Sequence, residues 1–234
     1  MNQLNKTLCL FALALLLCVF SGCSTTIESK PVAKPFNAPA CGERVYNRGK
    51  PPVQFQKDLY EFIVKFKDDE VLVGVNTERL DAFTYLRNEL NITEKSNMSY
   101  RAAALYELMR VSAAMESSWN WAEGRDKAAS NYSWYTQEAG IFQTSPNSHV
   151  YYDGAYKRWH YLDTLMGMKP TQNNPDNKRW NAFMKDYANK EVIMQHHAFM
   201  VRHNYRHYGP IIRKSYVGAN INKECIKQIE ALLN

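Results

Sequence analysis

A mainly α-helical fold, with one short β element at most, is what this chain predicts. Three observations predict it. Apolar side chains recur at steps of three and four over most of the chain beyond Val53. The stretch from Arg101 to Met115 is rich in Ala, Leu and Met, all strong helix formers. Strand-like sequence is confined to Val71-Leu72-Val73-Gly74-Val75. Of 234 residues, 45% are hydrophobic and 22% charged, a balance that can bury a core and excludes a disordered chain.

Residues 1–22 read as a secretion signal, with Lys6 as the positive start and an apolar run from Leu8 to Phe20. That run is shorter than the ~20 apolar residues a membrane span needs. Phe20-Ser21-Gly22-Cys23 resembles a bacterial lipobox, although Phe20 stands where Leu or Val is usual. The resemblance implies a lipid on Cys23, attachment to a membrane through it and, with Ser24 following, an outer-membrane lipoprotein facing the periplasm. A plain secreted protein is the alternative. Residues 23–52 are rich in Ser, Thr, Pro, Lys and Ala and predict a flexible linker. The main folded domain is expected over 53–234. Cys9 and Cys18 leave with the signal, so Cys41 and Cys225 remain as a pair expected to form a disulfide in an oxidising compartment.

The elements then follow in order. Phe55, Leu59, Phe62, Ile63 and Phe66 give a helix over 53–67 one apolar face, and Val71–Val75 is the candidate strand. Leu80, Phe83, Tyr85, Leu86 and Leu90 predict a helix capped by Thr77. A long helix opens at Ser99 and runs to Met115, with Leu105, Leu108, Met109, Ser112, Met115 and Glu116 on one face. Residues 118–138 lose periodicity and predict a long loop, a length that usually signals function or mobility. A weak helix over 155–166, a Pro/Asn-rich turn region over 169–178, and helices over 178–188, 189–207 and 221–233 complete the chain, the last opening after Asn220.

The net charge is +6, and removing residues 1–22 takes away only Lys6, leaving +5. That suits a polyanionic surface such as a cell wall or lipid headgroups. No Lys/Arg block or nucleic-acid motif is present, so nucleic acid is set aside. His196, His203 and His207 lie near one helical face, but no carboxylate completes a metal set and His196 is about 16 Å along the axis from His207. They read as cleft-lining or core-edge histidines, with no metal and no cofactor expected.

Glu116 is the residue with chemical promise. A carboxyl at a helix end, at the border of an apolar face, is desolvated, and its pKa rises toward ~6. It can then donate a proton to a glycosidic oxygen and take one back. Glu116-Ser117-Ser118-Trp119-Asn120, followed by Gly140-Ile141-Phe142-Gln143 with Pro146 and Ser148 behind it, resembles the two signatures of lysozyme-like lytic transglycosylases. The family's third signature is matched in outline by Tyr205-Arg206-His207-Tyr208-Gly209-Pro210, with Arg206 at the expected tyrosine and Tyr205 one residue away. The resemblance covers roughly residues 99–233. It implies a lysozyme-like fold and cleavage of the β-1,4 bond between N-acetylmuramic acid and N-acetylglucosamine in peptidoglycan. It also implies Glu116 as the single acid/base, Ser117 orienting it, and Gly140, Gln143 and Tyr205 lining the sugar cleft.

Gly140 lies 24 residues after Glu116, a longer spacing than the family's. The extra segment carries Glu123 and Asp126, and Glu138 precedes Gly140 by two. A second carboxylate near the cleft would activate water instead, with a separation of ~6.5–9.5 Å for inversion or ~5–5.5 Å for retention. A hydrolytic muramidase is therefore the alternative enzyme. The off-register third motif also leaves open a non-catalytic wall-binding lipoprotein.

Overall fold

The helix that carries Glu116 is the longest in the molecule's described part. The computed structural model describes residues 34–75, 81–124, 133–148, 167–168, 176–203, 211, 213 and 215–234. The elements used below are α1 (Val53–Phe66), α2 (Ala82–Tyr85), α3 (Arg87–Leu90), α4 (Met98–Ser117), α5 (Asp176–Lys185), α6 (Lys190–His203) and α7 (Lys223–Leu233). The fold is mainly α. Among the described residues, β pairing is limited to two isolated bridges, Val45 with Gly49 and Ala139 with Thr144. No described helix is long and apolar enough to cross a membrane.

α4 is buried on every side from Arg101 to Met115. Its small residues, Ala102 to Ala104 and Ala113 to Ala114, let neighbours approach on faces other than the Leu/Met one. α7 and α1 pack against it, and α1 also meets α6. Its N-cap is Asn97, whose side chain accepts from the Tyr100 amide at 2.7 Å, so Ser99 lies inside the first turn. A buried charge pair sits on this helix. Arg110 donates through Nε and Nη2 to the two carboxylate oxygens of Glu107, both at 2.7 Å. Glu107 Oε1 also accepts from the Asn222 amide at 2.7 Å, and Arg110 Nη1 donates to Glu43 O at 3.4 Å. The pair thus links α4 to both ends of the described chain. Removing one partner of such a pair leaves a buried charge and costs about 3–5 kcal/mol.

The segment before Val53 departs from a free linker. From Lys34 on it is packed, and the compact unit spans Ala33–Asn234. A 3-10 turn over Pro39–Gly42 buries Ala40 and Cys41. Cys41 and Cys225 form a disulfide across 184 residues of sequence. Ala40 N donates to Gln228 Oε1 and Asn222 Nδ2 donates to Ala40 O, both at 3.0 Å. Prolines keep this segment out of a helix, but they do not prevent it from packing beside α7 once the disulfide holds it there. Residues 1–33, Cys23 among them, lie outside the described part.

Val71–Val75 is also not a strand. Asp69 Oδ1 accepts from Val71 N and Leu72 N at 2.9 and 3.1 Å, and Val73 N and Gly74 N donate back to Asp69 O and Glu70 O. Asp69 thus starts a helical turn that buries Leu72 and Val73. The 80–90 helix is two single turns, α2 and α3, broken at Leu86. Asp81 caps α2 by accepting from Thr84 N at 2.8 Å, while Thr77 is outside the described residues. α5 begins at Asp176 and ends at Lys185, with a separate 3-10 turn over Tyr187–Asn189. α7 opens after Asn222, which accepts from Glu224 N and Cys225 N, two residues beyond Asn220. The weak helix over 155–166 and the turn residues 169–175 lie outside the described part, as does 204–207 of the helix expected to reach 207.

Candidate functional site

α4 ends in two consecutive left-handed residues, Ser118 (φ 54°) and Trp119 (φ 62°). Neither is glycine, so each conformation costs of order 1–2 kcal/mol. What holds them is local bonding. Ser118 N and Trp119 N return to Ala114 O and Ala113 O, and the buried Trp119 indole donates to Arg110 O at 3.1 Å. The helix therefore stops sharply, with Glu116 in its last turn.

Ser117 joins this end to the second motif. Its hydroxyl donates to Ile141 O at 2.7 Å and accepts from Asn120 N at 3.1 Å. It is buried, so it fixes the Gly140–Gln143 turn onto α4 instead of meeting a substrate. The turn is closed by Ala139 N to Thr144 O (3.3 Å) and Thr144 N to Ala139 O (3.0 Å). Gly140 has φ 76°, and a Cβ there would lie 2.0 Å from Met184 O of α5. The glycine serves close packing of the turn on α5, not approach to a sugar. Gln143 is 9% exposed, and both its amide N and its side-chain Nε2 donate to Gly140 O at 3.0 Å. It braces the turn from within.

α5 and α6 support the turn from behind. Trp180 Nε1 donates to Thr144 O at 3.3 Å, and Asn181 Nδ2 to Glu138 O at 3.5 Å. Phe142 lies flat on His197, with ring centroids 3.8 Å apart. Burial, helped by neighbouring His196, holds the His197 pKa well below that of an ordinary imidazole. His196 sits edge-on to Trp180 with Nε2 3.3 Å from Ser148 Oγ, and His203 Nε2 lies 3.1 Å from Val71 O. His196 is thus a core residue and His203 a core-edge one; His207 is outside the described part. Among the described residues no group of three His, Cys, Asp or Glu side chains is placed to hold a metal ion.

Glu116 itself is half-buried, and among the described residues no hydrogen bond or ion pair engages its carboxylate. Burial is the main reason its pKa is pushed up to about 8, above the value near 6 that the sequence suggests. Repulsion from Glu138 adds to the rise, while Arg48 and Arg213 oppose it. Of the two described acids in the long loop, exposed Glu138 is the one that acts on Glu116. Glu123 is engaged elsewhere. Its Oε2 accepts from Asn120 Nδ2 at 2.8 Å and its backbone O from Gly140 N at 2.9 Å. Asp126 and Tyr205 lie outside the described residues.

Arg48, Arg213, His197 and Trp180 are neighbours of the site that no motif pointed to. Arg48 comes from the segment expected to be a linker, and Arg213 from a stretch without periodicity. A separate cavity of about 540 Å³, lined by Asp81, Arg87, Thr93 and Arg101 among others, shares no residue with this group. What Glu116 offers chemically is a half-buried carboxyl with its pKa pushed up to about 8, raised by burial and by the Glu138 carboxylate and opposed by the Arg48 and Arg213 charges. No protein-family model, curated protein or solved structure matches the chain.

Proposed function

We propose that this chain is a lysozyme-like enzyme that cleaves the β-1,4 bond between N-acetylmuramic acid and N-acetylglucosamine in peptidoglycan, acting as a lytic transglycosylase. The observation that carries the reading is the state of Glu116. Its carboxyl has no bonding partner among the described residues, is half-buried, and stays protonated at neutral pH. A group in that state is a general acid. Glu116 donates its proton to the glycosidic oxygen as the C1–O bond breaks and positive charge develops on the muramic ring. The resulting carboxylate then takes the proton of the ring's C6 hydroxyl, whose oxygen closes on C1 to leave a 1,6-anhydro end. Ser117, bonded to Ile141 O, keeps the Gly140–Gln143 turn in register with the acid.

A second reading is supported by Glu138. Its exposed carboxylate adds to the rise of the Glu116 pKa, and in this reading it deprotonates water, which gives hydrolysis and a reducing end. Attachment of the enzyme to the outer membrane through lipid on Cys23 belongs to the same proposal.

The test is digestion of purified sacculi by the native chain and by Glu116→Gln, with mass spectrometry of the soluble products. Anhydro ends from the native chain and a loss of about 10²-fold or more in the variant are expected. Reducing ends move the assignment to a muramidase. Full activity in Glu116→Gln overturns both enzyme readings, and sacculus binding without released muropeptides by the native chain indicates a wall-binding protein instead.

A further inference from the structure

The cavity that shares no residue with the Glu116 group lies toward the other end of α4. Arg101 lines it from the first turn of that helix and Glu116 stands in the last, about 22 Å away along the axis at 1.5 Å per residue. α2 and α3 form other parts of the wall: Asp81 caps α2, Phe83 lies within it, and Arg87 opens α3. The volume, about 540 Å³, falls within the range of small-molecule sites, about 300–1,000 Å³.

The polar groups on this wall are unequally satisfied. Asp81 is buried and engaged through both oxygens. Its Oδ1 accepts from the amide and the hydroxyl of Thr84, both at 2.8 Å, and its Oδ2 accepts from Arg202 Nε of α6 at 2.9 Å. Arg202 also donates to Leu72 O and Gly74 O, and lies 4.1 Å from the ring centre of Phe83. Arg101 differs. It is 5% exposed, yet its guanidinium donates to neutral carbonyls, through Nε to Ser96 O at 3.1 Å and through Nη2 to Thr93 O at 3.0 Å. Among the described residues Nη1 has no hydrogen-bond partner and no carboxylate forms an ion pair with Arg101. Burial pulls its pKa below the usual arginine value, and Asp81 offsets that pull only in part.

Burying a cation is costly unless an anion accompanies it, and a cation in the first turn of a helix also opposes the helix dipole. Arg101 is thus a desolvated charge with donors to spare on the wall of a cavity. Arg87, on the same wall, is exposed and makes no side-chain bond among the described residues. Phe83 and Ile92, both buried, give the cavity an apolar side. Asp81 and exposed Glu94 also line it and repel a second negative charge. A guanidinium grips a carboxylate through paired N–H donors. We propose that this cavity binds a small organic monocarboxylate, held by Arg101 with Arg87 at the mouth and with its apolar body against Phe83 and Ile92. The site is separate from Glu116 and does not depend on what that residue cleaves.

Calorimetric titration of the native chain at pH 7 tests the proposal with three probes of similar size: N-acetyl-leucine, its uncharged twin N-acetyl-leucinamide, and the dianion butyl phosphate. N-acetyl-leucine is expected to bind about tenfold or more tighter than the amide, the factor that a hydrogen bond to a charged group supplies, and tighter than butyl phosphate. Arg101→Gln is expected to erase the preference and leave the amide unchanged. Equal or absent binding of the acid and its amide, tighter binding of butyl phosphate, or a preference that survives in Arg101→Gln overturns the proposal. Arg101 also holds Ser96 O and Thr93 O, so Arg87→Glu, at an exposed position, serves if the first variant does not fold. It is expected to weaken N-acetyl-leucine by about threefold or more, as reversal of one exposed charge allows, without changing the amide; an unchanged affinity for the acid overturns the proposal.

Discussion

Replacing Glu116 by Gln should make the protein more stable at alkaline pH and leave its stability in acid nearly unchanged. In the unfolded chain this carboxyl titrates near 4.5, and in the folded chain near 8. Between those values the native state holds a proton that the unfolded state has released. Stability therefore falls as pH rises, because the unfolded state binds fewer protons. Below about pH 4.5 both states are protonated and there is no penalty; above about pH 8 the penalty is complete. At about 1.4 kcal/mol per pH unit, the interval amounts to about 5 kcal/mol, an upper bound for a carboxyl with some access to water. Glutamine has nearly the same shape and no charge, so it escapes this penalty. The assay is urea unfolding of both proteins between pH 4 and 9, followed by tryptophan fluorescence, with the difference in unfolding free energy plotted against pH. Contributions from other titrating groups, such as buried His197, cancel in that difference. A difference that grows by several kcal/mol toward pH 9 is expected. Parallel curves across the whole range would mean that Glu116 ionises as an ordinary surface acid, and the general-acid argument would lose its basis.

Glu138→Gln removes the repulsion that helps keep Glu116 protonated, so the alkaline limb of wall-degrading activity should move to lower pH; a limb that does not move would show that the two carboxyls do not communicate. Under the transglycosylase reading this variant still yields anhydro ends, whereas a hydrolase relying on Glu138 should lose most of its turnover. Cys41→Ser/Cys225→Ser opens a loop of 184 residues. Chain entropy puts that cross-link at about 5 kcal/mol, so differential scanning calorimetry should show a fall in Tm on the order of 10 °C. Gly140→Ala should fail to accumulate as folded protein, because its methyl group would meet Met184 O; soluble expression with a native circular dichroism spectrum would disprove that packing argument.

The sequence by itself determined the parts of the fold that depend on local chemistry. The run of Ala, Leu and Met through α4, the three-and-four spacing of α1 and the cysteine pair are local or compositional signals, and each corresponds to an element or bond in the structure. Cap positions were legible to within a few residues, because several polar residues near each helix start can accept from the same amides, and packing selects among them. Asn97 was chosen over Ser99, and Asn222 over Asn220, in this way. Val71–Val75 misled because β-branched residues mark burial as readily as strand, and Asp69 was positioned to start a turn instead.

The candidate site divides along the same line. Glu116 at a helix end, and a glycine-marked turn ending in Gln143, were visible as motifs. What Ser117, Gly140 and Gln143 do there was decided by tertiary contacts: a bond to Ile141 O, the closeness of Met184 O, and a return to Gly140 O. The pKa of Glu116 also belongs to the tertiary structure. Its excess over the helix-end expectation comes from burial and from Glu138, and it is limited by Arg48 and Arg213. A segment rich in Pro and Lys reads as a tether when only local propensity is considered. It becomes part of the site because the Cys41–Cys225 bond and the Arg110–Glu43 contact, both far apart in sequence, hold it against α4 and α7. Local propensity acts over a few residues, whereas the charge environment of one carboxyl is summed over everything the fold brings near it.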